Sequence, residues 1–276
     1  MISCHIIGGL GNQLFQIFTT ISYSFKLKTS FYFFNSNESY GITKRPTYWR
    51  SFLHNLGFSL KNTHPKNIVL REKAFEYQEL EEIPNENILL YGYFQSYKYF
   101  EDSYEKIYSL LKIDEQKHKL QEKINEPLNE FISIHFRIGD YMNIQDFHPL
   151  LDYLYYEKSI KYILSKLNSN KEKFICFFEK KDIENIYPLI HKLKINFSHC
   201  DFKIIHEMHN ELKDYEEMIA MSMCKHNIIA NSTFSWWGAY LNTKNNKIVC
   251  FPNIWFGPKL IQNKTNDLFP KEWIRI

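Results

Sequence analysis

The sequence predicts an α/β protein of two lobes, and three observations carry that expectation. The chain has 276 residues, enough at about 150 per domain for two cores. From residue 131 onward, apolar runs of strand length alternate with stretches of helical periodicity, the pattern of a parallel sheet with helices on both faces. Aromatic residues make up 17% of the chain against 9 glycines and 9 prolines, which requires buried rings and excludes a linker-rich, collagenous or disordered chain. The formal charge of +3 lacks the basic excess of a nucleic-acid or membrane-surface binder, so neither partner is expected.

The first lobe reads β, loop, α, β. SCHII (3–7) is a strand and GGLGNQ (8–13) a loop, and a helix begins at Asn12 with Leu14, Ile17, Phe18, Ile21 and Phe25 on one face. SFYFF (30–34) is strand-like, and YWRSFLHNL reads as a helix stopped by Gly57. NIVLRE (67–72) and ILLYGYF (88–94) follow as strands and 96–113 as a helix; 112–124 mixes charges on a helical period, a solvated face. Pro127 marks a break, so the lobes are expected at 1–125 and 126–276. In the second lobe the strands are FISIHF (131–136), KFICFFE (173–179), FKIIHE (202–207), HNIIA (226–230) and KIVCFP (247–252). Helices at 153–167, 181–193, 211–224 and 234–242 lie between them, making one Rossmann-like lobe.

Five widely spaced cysteines (Cys4, Cys176, Cys200, Cys224, Cys250) with no C-x-x-C pair point to free thiols in a reducing compartment. No apolar run approaches the ~18–20 residues of a membrane helix, and MISCHIIGG lacks a signal-type start. A cytoplasmic protein without a transmembrane segment is expected.

Three segments carry chemistry. In GGLGNQ, Gly8, Gly9, Gly11, Asn12 and Gln13 join a strand to a helix, where backbone amides can meet an anion or form only a tight turn. The loop has neither the third glycine of a dinucleotide fingerprint nor the Lys-Ser/Thr of a P-loop. HFRIGDY places His135, Arg137 and Asp140 at a strand's carboxyl end. Arg137 can fork onto a phosphate, or pair with Asp140 to brace a turn; Asp140 could equally orient a group or accept from a hydroxyl. HNIIANSTFSWWGAYLN sets Asn231, Ser232 and Thr233 as cap chemistry before a short helix, suited to a diphosphate or simply to capping, with Trp236 and Trp237 read as core.

Together GGLGNQLFQI, GYFQSYKYF (92–100), HFRIGDY and CKHNIIANSTFSWWGAYLN resemble the α-1,2-fucosyltransferases of glycosyltransferase family 11, in the family's order across nearly the whole chain. The resemblance implies a GT-B-like fold of two Rossmann-like lobes with a donor-binding crevice between them, the first lobe on the acceptor side. It implies GDP-β-L-fucose as donor, a galactose-terminated oligosaccharide as acceptor, inversion at the anomeric carbon, and no metal or other cofactor. It places Arg137 on the donor pyrophosphate with His135 and Asp140 completing that motif. Ser232, Thr233, Phe234 and Ser235, after Asn231, fall on the nucleotide, and Gly9, Gly11 and Asn12 on the loop that closes over the diphosphate. Many members carry a second arginine after the first; here that position is Ile138, which leaves Arg137 as the main cation.

Fucosyl transfer needs a stabilised leaving diphosphate and a group that orients or deprotonates the acceptor hydroxyl. Asp140, Asp146 and His148 are the candidates for the second task. His206 and His209 have an H-x-x-H spacing but read as surface histidines beside a strand end rather than metal ligands. Asp214, Glu216 and Glu217 open a helix, where acids suit the dipole, and one of them could read a guanine edge. Arg45, Trp49 and Arg50 could line an acceptor groove, or Trp49 could simply be buried. The competing readings are a fucosyltransferase of other linkage or acceptor and a non-catalytic GDP-sugar or glycan-binding protein. A dinucleotide oxidoreductase would need an acid closing the second strand, where Asn35 stands.

Overall fold

The computed structural model describes residues 1–41, 44–63, 65–83 and 86–276. The chain forms two compact units: Met1–Gln116 with Asn263–Pro270, and Lys117–Gln262 with Lys271–Ile276. The division falls ahead of 125/126, because Gln116 Nε2 donates to Phe52 O and Leu111 O and so ties the start of the charged helix to the first unit. The returning segment belongs to the first unit through Asp267, whose carbonyl accepts from Ser96 Oγ and whose carboxylate pairs with Lys98.

In the first unit, β1 (Ile2–Cys4) leads into α1 (Leu10–Lys26). The helix starts before Asn12: Gln13 N–H closes the first turn on Gly9 O at 3.0 Å, so Gly11, Asn12 and Gln13 are helical rather than loop. Leu14, Ile17, Phe18 and Ile21 are fully buried as their spacing requires, whereas Phe25 is exposed. The short pair β2 (Phe33–Phe34) and β3 (Leu60–Lys61) is parallel. Trp49, Phe52, Leu53 and Leu56 are buried at helical spacing, yet 48–59 runs as turns and a 3-10 stretch, His54–Ser59, because its amides close on carbonyls three residues back; Gly57 lies inside it rather than ending it. β4 (Ile68–Arg71) and β5 (Ile88–Tyr91) complete a parallel sheet in the order β1-β5-β4. The stretch 96–113 is not one helix: two 3-10 turns precede α2 (Tyr104–Leu110), and Lys112 at φ 53° separates it from α3 (Ile113–Lys123).

The second unit runs β6 (Phe131–His135), α4 (Tyr153–Leu167), β7 (Lys173–Phe177), α5 (Ile183–Asn196), β8 (Asp201–Ile204), α6 (Ile205–Met208), α7 (Asp214–Met223), β9 (His226–Ile228), α8 (Thr233–Tyr240), β10 (Val249–Phe251) and β11 (Ile274–Arg275). All six strands pair in parallel in the order β11-β10-β9-β6-β7-β8, the doubly wound arrangement. Two details differ from the pattern. FKIIHE leaves the sheet after Ile204, so His206 sits on a helix, and the terminal Ile274 adds a strand against Cys250. The inner faces bury Ile132, Ile134, Phe174, Cys176, Ile204 and Ile228 against Ile160 and Ile163 of α4 and Ile186 and Ile190 of α5. All five cysteines are free thiols, and only Cys200 is not fully buried.

Candidate active site

The strand order reverses direction between β6 and β9. Beyond the carboxyl ends of strands at such a point, an open parallel sheet leaves a crevice in which ligands bind. Two of the three segments singled out in the sequence emerge there, HFRIGDY from β6 and ANSTF from β9.

Arg137 donates through Nη2 to Asp140 and through Nη1 to Glu179, a carboxylate just past β7, and its guanidinium lies 5.1 Å from the Tyr141 ring centroid. Burial opposes its charge, but Asp140 and Glu179 outweigh that and raise its pKa further. Glu179 also pairs with Lys181 at 2.7 Å. Gly139 is left-handed (φ +37°), and its N–H donates to buried Asp182 Oδ2 at 2.8 Å, which fixes the turn that presents the arginine. His135 is pushed down to about 3 by burial and then by the charge of Arg137, so it is a neutral ring and not a second cation. It lies 5.6 Å from the ring of Phe234.

Tyr141 links the two segments: its hydroxyl donates to Asn231 O at 3.0 Å, and its ring stacks on His148 at 4.9 Å. Burial lowers the pKa of His148, leaving it a neutral imidazole near pH 7. Of the three groups expected to serve the acceptor hydroxyl, Asp140 is held by Arg137 and Asp146 is exposed and paired with Lys259 at 3.2 Å. The structure thus gathers Arg137, Asp140 and His148 around Tyr141, sets His135 beside Phe234, and leaves Asp146 to another partner.

Ser232 caps α8, its Oγ accepting from Phe234 N at 3.3 Å. Ser235 Oγ is engaged by Ala230 and Ser232, and Asn231 Nδ2 donates to Pro149 O and Trp255 O, so the Ser235 hydroxyl and the Asn231 amide nitrogen brace the loop itself. Thr233 and Phe234 keep partial exposure at the helix N-terminus, where dipole and amides favour an anion. Trp236 and Trp237 are fully buried in an edge-to-face pair, the core role read for them. The buried polar atoms without a hydrogen bond among the described residues include His135 Nδ1, His148 Nδ1 and Asn231 Oδ1. Such groups are rarely left unpaired without a functional reason.

In the first unit, Gly8 is left-handed (φ +82°), and Gly9 is the α1 N-cap with no atom within 4 Å of where a Cβ would stand. Two side chains on the buried face of α1 hold this loop, and sequence reasoning gave them no such role. Gln16 accepts from Ile7 N at 2.8 Å and donates to Ile7 O at 2.9 Å, and Gln13 donates to Gly8 O and Pro46 O. Asn12 Oδ1 accepts from Gln95 at 3.1 Å. The signal was present, since glutamines among buried helix positions must satisfy their amides locally. Trp49 stacks on Phe33 at 5.3 Å in the core rather than lining a groove.

His206 and His209 diverge. His206 bonds Phe178 O and faces Glu217 at 3.6 Å, while His209 pairs with Glu126 at 2.6 Å. Among the described residues no cluster of three or more His, Cys, Asp or Glu side chains suits a metal. Glu217 is pushed up to about 8 by burial, with Asp214 and Glu179 adding to it, while Glu216 caps α7 by accepting from Lys213 N at 2.8 Å. No helix is long and apolar enough to cross a membrane among the described residues.

An alpha-1,2-colitosyltransferase of Escherichia coli is 27% identical over 304 residues, 100% of this chain and 99% of that protein. The O-antigen biosynthesis glycosyltransferase WbnK of Escherichia coli is 32% identical over 225 residues, 76% of this chain and 68% of that protein. A mutant of Arabidopsis thaliana FUT1 in complex with GDP shares the fold with a TM-score of 0.50 and 11% identity, over 97% of this chain and 74% of that chain. POFUT1 in complex with GDP, in a high-resolution structure, does so with a TM-score of 0.50 and 9% identity, over 90% of this chain and 96% of that chain. The fold is therefore the expected α/β, GT-B-like one. The profile of Glycosyl transferase family 11 matches residues 61–276, a span that includes Arg137, the cap segment and the entire six-stranded sheet. The chain belongs to glycosyltransferase family 11.

Proposed function

We propose that this glycosyltransferase moves L-fucose from GDP-β-L-fucose to the 2-hydroxyl of a terminal β-galactoside, with inversion and without a metal. The observation that carries the reading is the pairing of the Arg137 fork with the α8 N-terminus on the two sides of the sheet's switch point. A diphosphate is the ligand that both features suit: a planar guanidinium for two oxygens and helix amides for the others. In this scheme the second unit binds the donor and the first the acceptor, as the family resemblance implies.

As the bond from the anomeric carbon to the diphosphate breaks, charge develops on the leaving oxygen, and Arg137 with the positive end of the α8 dipole stabilises it. The acceptor oxygen bonds to the opposite face of that carbon and loses its proton. His148 suits that proton best, being neutral with an unpartnered Nδ1, whereas Asp140 is occupied by Arg137 and Asp146 by Lys259. The end-to-end likeness to an alpha-1,2-colitosyltransferase supports a second reading, in which colitose, a fucose without its 3-hydroxyl, is the sugar moved.

The test is GDP release from GDP-fucose and from GDP-colitose in EDTA, with lactose, lacto-N-biose or N-acetyllactosamine added. Galactoside-dependent release from GDP-fucose is expected. Faster turnover of GDP-colitose would transfer the assignment to that sugar, and release from neither would defeat the reading.

A further inference from the structure

At the carboxyl ends of the first unit's three parallel strands lies a second concavity. His5 follows β1, Arg71 closes β4 and Tyr91 closes β5, and with Tyr40, Glu72 and Tyr93 they line a cavity of about 520 Å³. The volume is that of a small-molecule site, at the position where open parallel sheets take ligands.

Its walls have an unusual chemistry. Tyr40, Tyr91 and Tyr93 are large aromatic side chains that keep 37%, 40% and 40% of their surface exposed, and all three line this one cavity. Tyr40 and Tyr91 are fixed edge-on by His5, with ring centroids at 4.7 and 5.3 Å. The Arg71 guanidinium lies 4.4 Å from the Tyr91 ring centroid. Tyr93 stacks on no aromatic ring among the described residues.

The backbone that carries Tyr93 is built with care. Both oxygens of Glu72 accept from it, Oε2 from Tyr93 N at 2.7 Å and Oε1 from Phe94 N at 2.9 Å, and Phe94 is left-handed at φ 51°. Gly92 has no room for a methyl, since a Cβ there would meet Glu72 Cβ at 2.3 Å. A half-buried carboxylate thus holds a tyrosine open to solvent, an arrangement that core packing does not require.

We propose that this cavity is a sugar-binding subsite for the acceptor oligosaccharide, in which tyrosine faces pack on a pyranose ring while Arg71 and Glu72 bond its hydroxyls. The aromatic faces suit the C–H faces of a neutral ring. Arg71 and Glu72 both line the cavity, and burial pushes Glu72 up to about 7, so the walls offer a cation beside a weakly charged carboxyl that suits the hydroxyls of a neutral polyol better than a polyanion. The inference rests on the acceptor being a sugar, as in the proposed function.

The experiment measures acceptor and donor kinetics for Tyr93→Ala, Tyr91→Ala and Tyr93→Phe, with saturation-transfer NMR of methyl β-galactoside on the wild-type protein and each variant. The expected result is an acceptor KM raised about tenfold or more in the alanine variants. GDP affinity and donor KM should stay as in the wild type, Tyr93→Phe should recover most of the loss, and the saturation transfer should weaken in parallel. If the wild type transfers sugar to a galactoside and the alanine variants keep its acceptor KM, the subsite is wrong and the proposed function stands. If the wild type transfers to no sugar acceptor, the function itself fails. A fall in donor affinity and melting temperature with unchanged saturation transfer would make the tyrosines structural and overturn the subsite as well.

Discussion

Replacing Arg137 by alanine separates a brace from a catalytic cation, because the structure sets the cost of each. Its two partners, Asp140 and Glu179, have side chains 49% and 38% exposed, so both carboxylates remain hydrated once the arginine is gone. Glu179 also retains Lys181 at 2.7 Å. Half-exposed ion pairs contribute about 0.2–1 kcal/mol each, so the two together are worth no more than about 2 kcal/mol, a fall of a few degrees in Tm. A cation aimed at developing charge is worth more, about 3–4 kcal/mol or a factor of about 10²–10³ in kcat. The loss should also favour kcat over donor KM. Binding the donor exchanges carboxylates for phosphate oxygens on a guanidinium that is already neutralised, so the net gain in the ground state is small. Steady-state kinetics with GDP-fucose and a thermal melt of the same preparation measure both quantities. A Tm lowered by a few degrees with kcat within threefold of the wild type would leave Arg137 a turn brace and no catalytic cation.

Three further outcomes follow from the same geometry. Glu179→Gln should lower the donor KM a few-fold with little change in Tm, since it removes a carboxylate that competes for Arg137; titration with GDP reads this, and weaker binding would contradict it. Gly92→Ala should destabilise the first unit by about 1–3 kcal/mol in a denaturant melt, because its methyl would lie 2.3 Å from Glu72 Cβ. Glu217 keeps its proton in the folded chain up to about pH 8, whereas the unfolded chain releases it in the ordinary carboxyl range. The folded state therefore binds more protons between about pH 5 and 8, and stability falls as pH rises by up to about 1.4 kcal/mol per pH unit. Melts of Glu217→Gln should lack that portion of the slope, and an identical slope would show that Glu217 does not supply it.

The second unit was the more legible half of the sequence, and the reason is periodicity. FISIHF and KFICFFE are buried on both faces of a parallel sheet and read as continuous apolar runs, so their strands are apparent from composition alone. The first unit hid more. Trp49, Phe52, Leu53 and Leu56 carry helical spacing on a backbone of turns, because burial fixes only which side chains face inward and not how the chain gets them there. The strand FKIIHE ended early because nothing local distinguishes Ile204 from Ile205. At the site, Arg137, Asp140 and the Ser232 cap could be read from strand-end position. Glu179 and Asp182 could not, since they reach Arg137 and Gly139 only through the pairing of β6 with β7. Asp146 stood beside Asp140 as a candidate in sequence, and their different partners, Lys259 and Arg137, separate them. The tyrosines around the first-unit cavity were not legible either, since Tyr40 meets Tyr91 and Tyr93 only in the fold.

The linkage of the product tests the proposed fucosyl transfer to the 2-hydroxyl of a galactoside. The chain, GDP-fucose and lactose are incubated in EDTA, and the trisaccharide is examined by NMR. An α-configured fucose on O2 of galactose is expected. A fucose on O3 or O6, a β-configured product, or no product from any galactoside would contradict it.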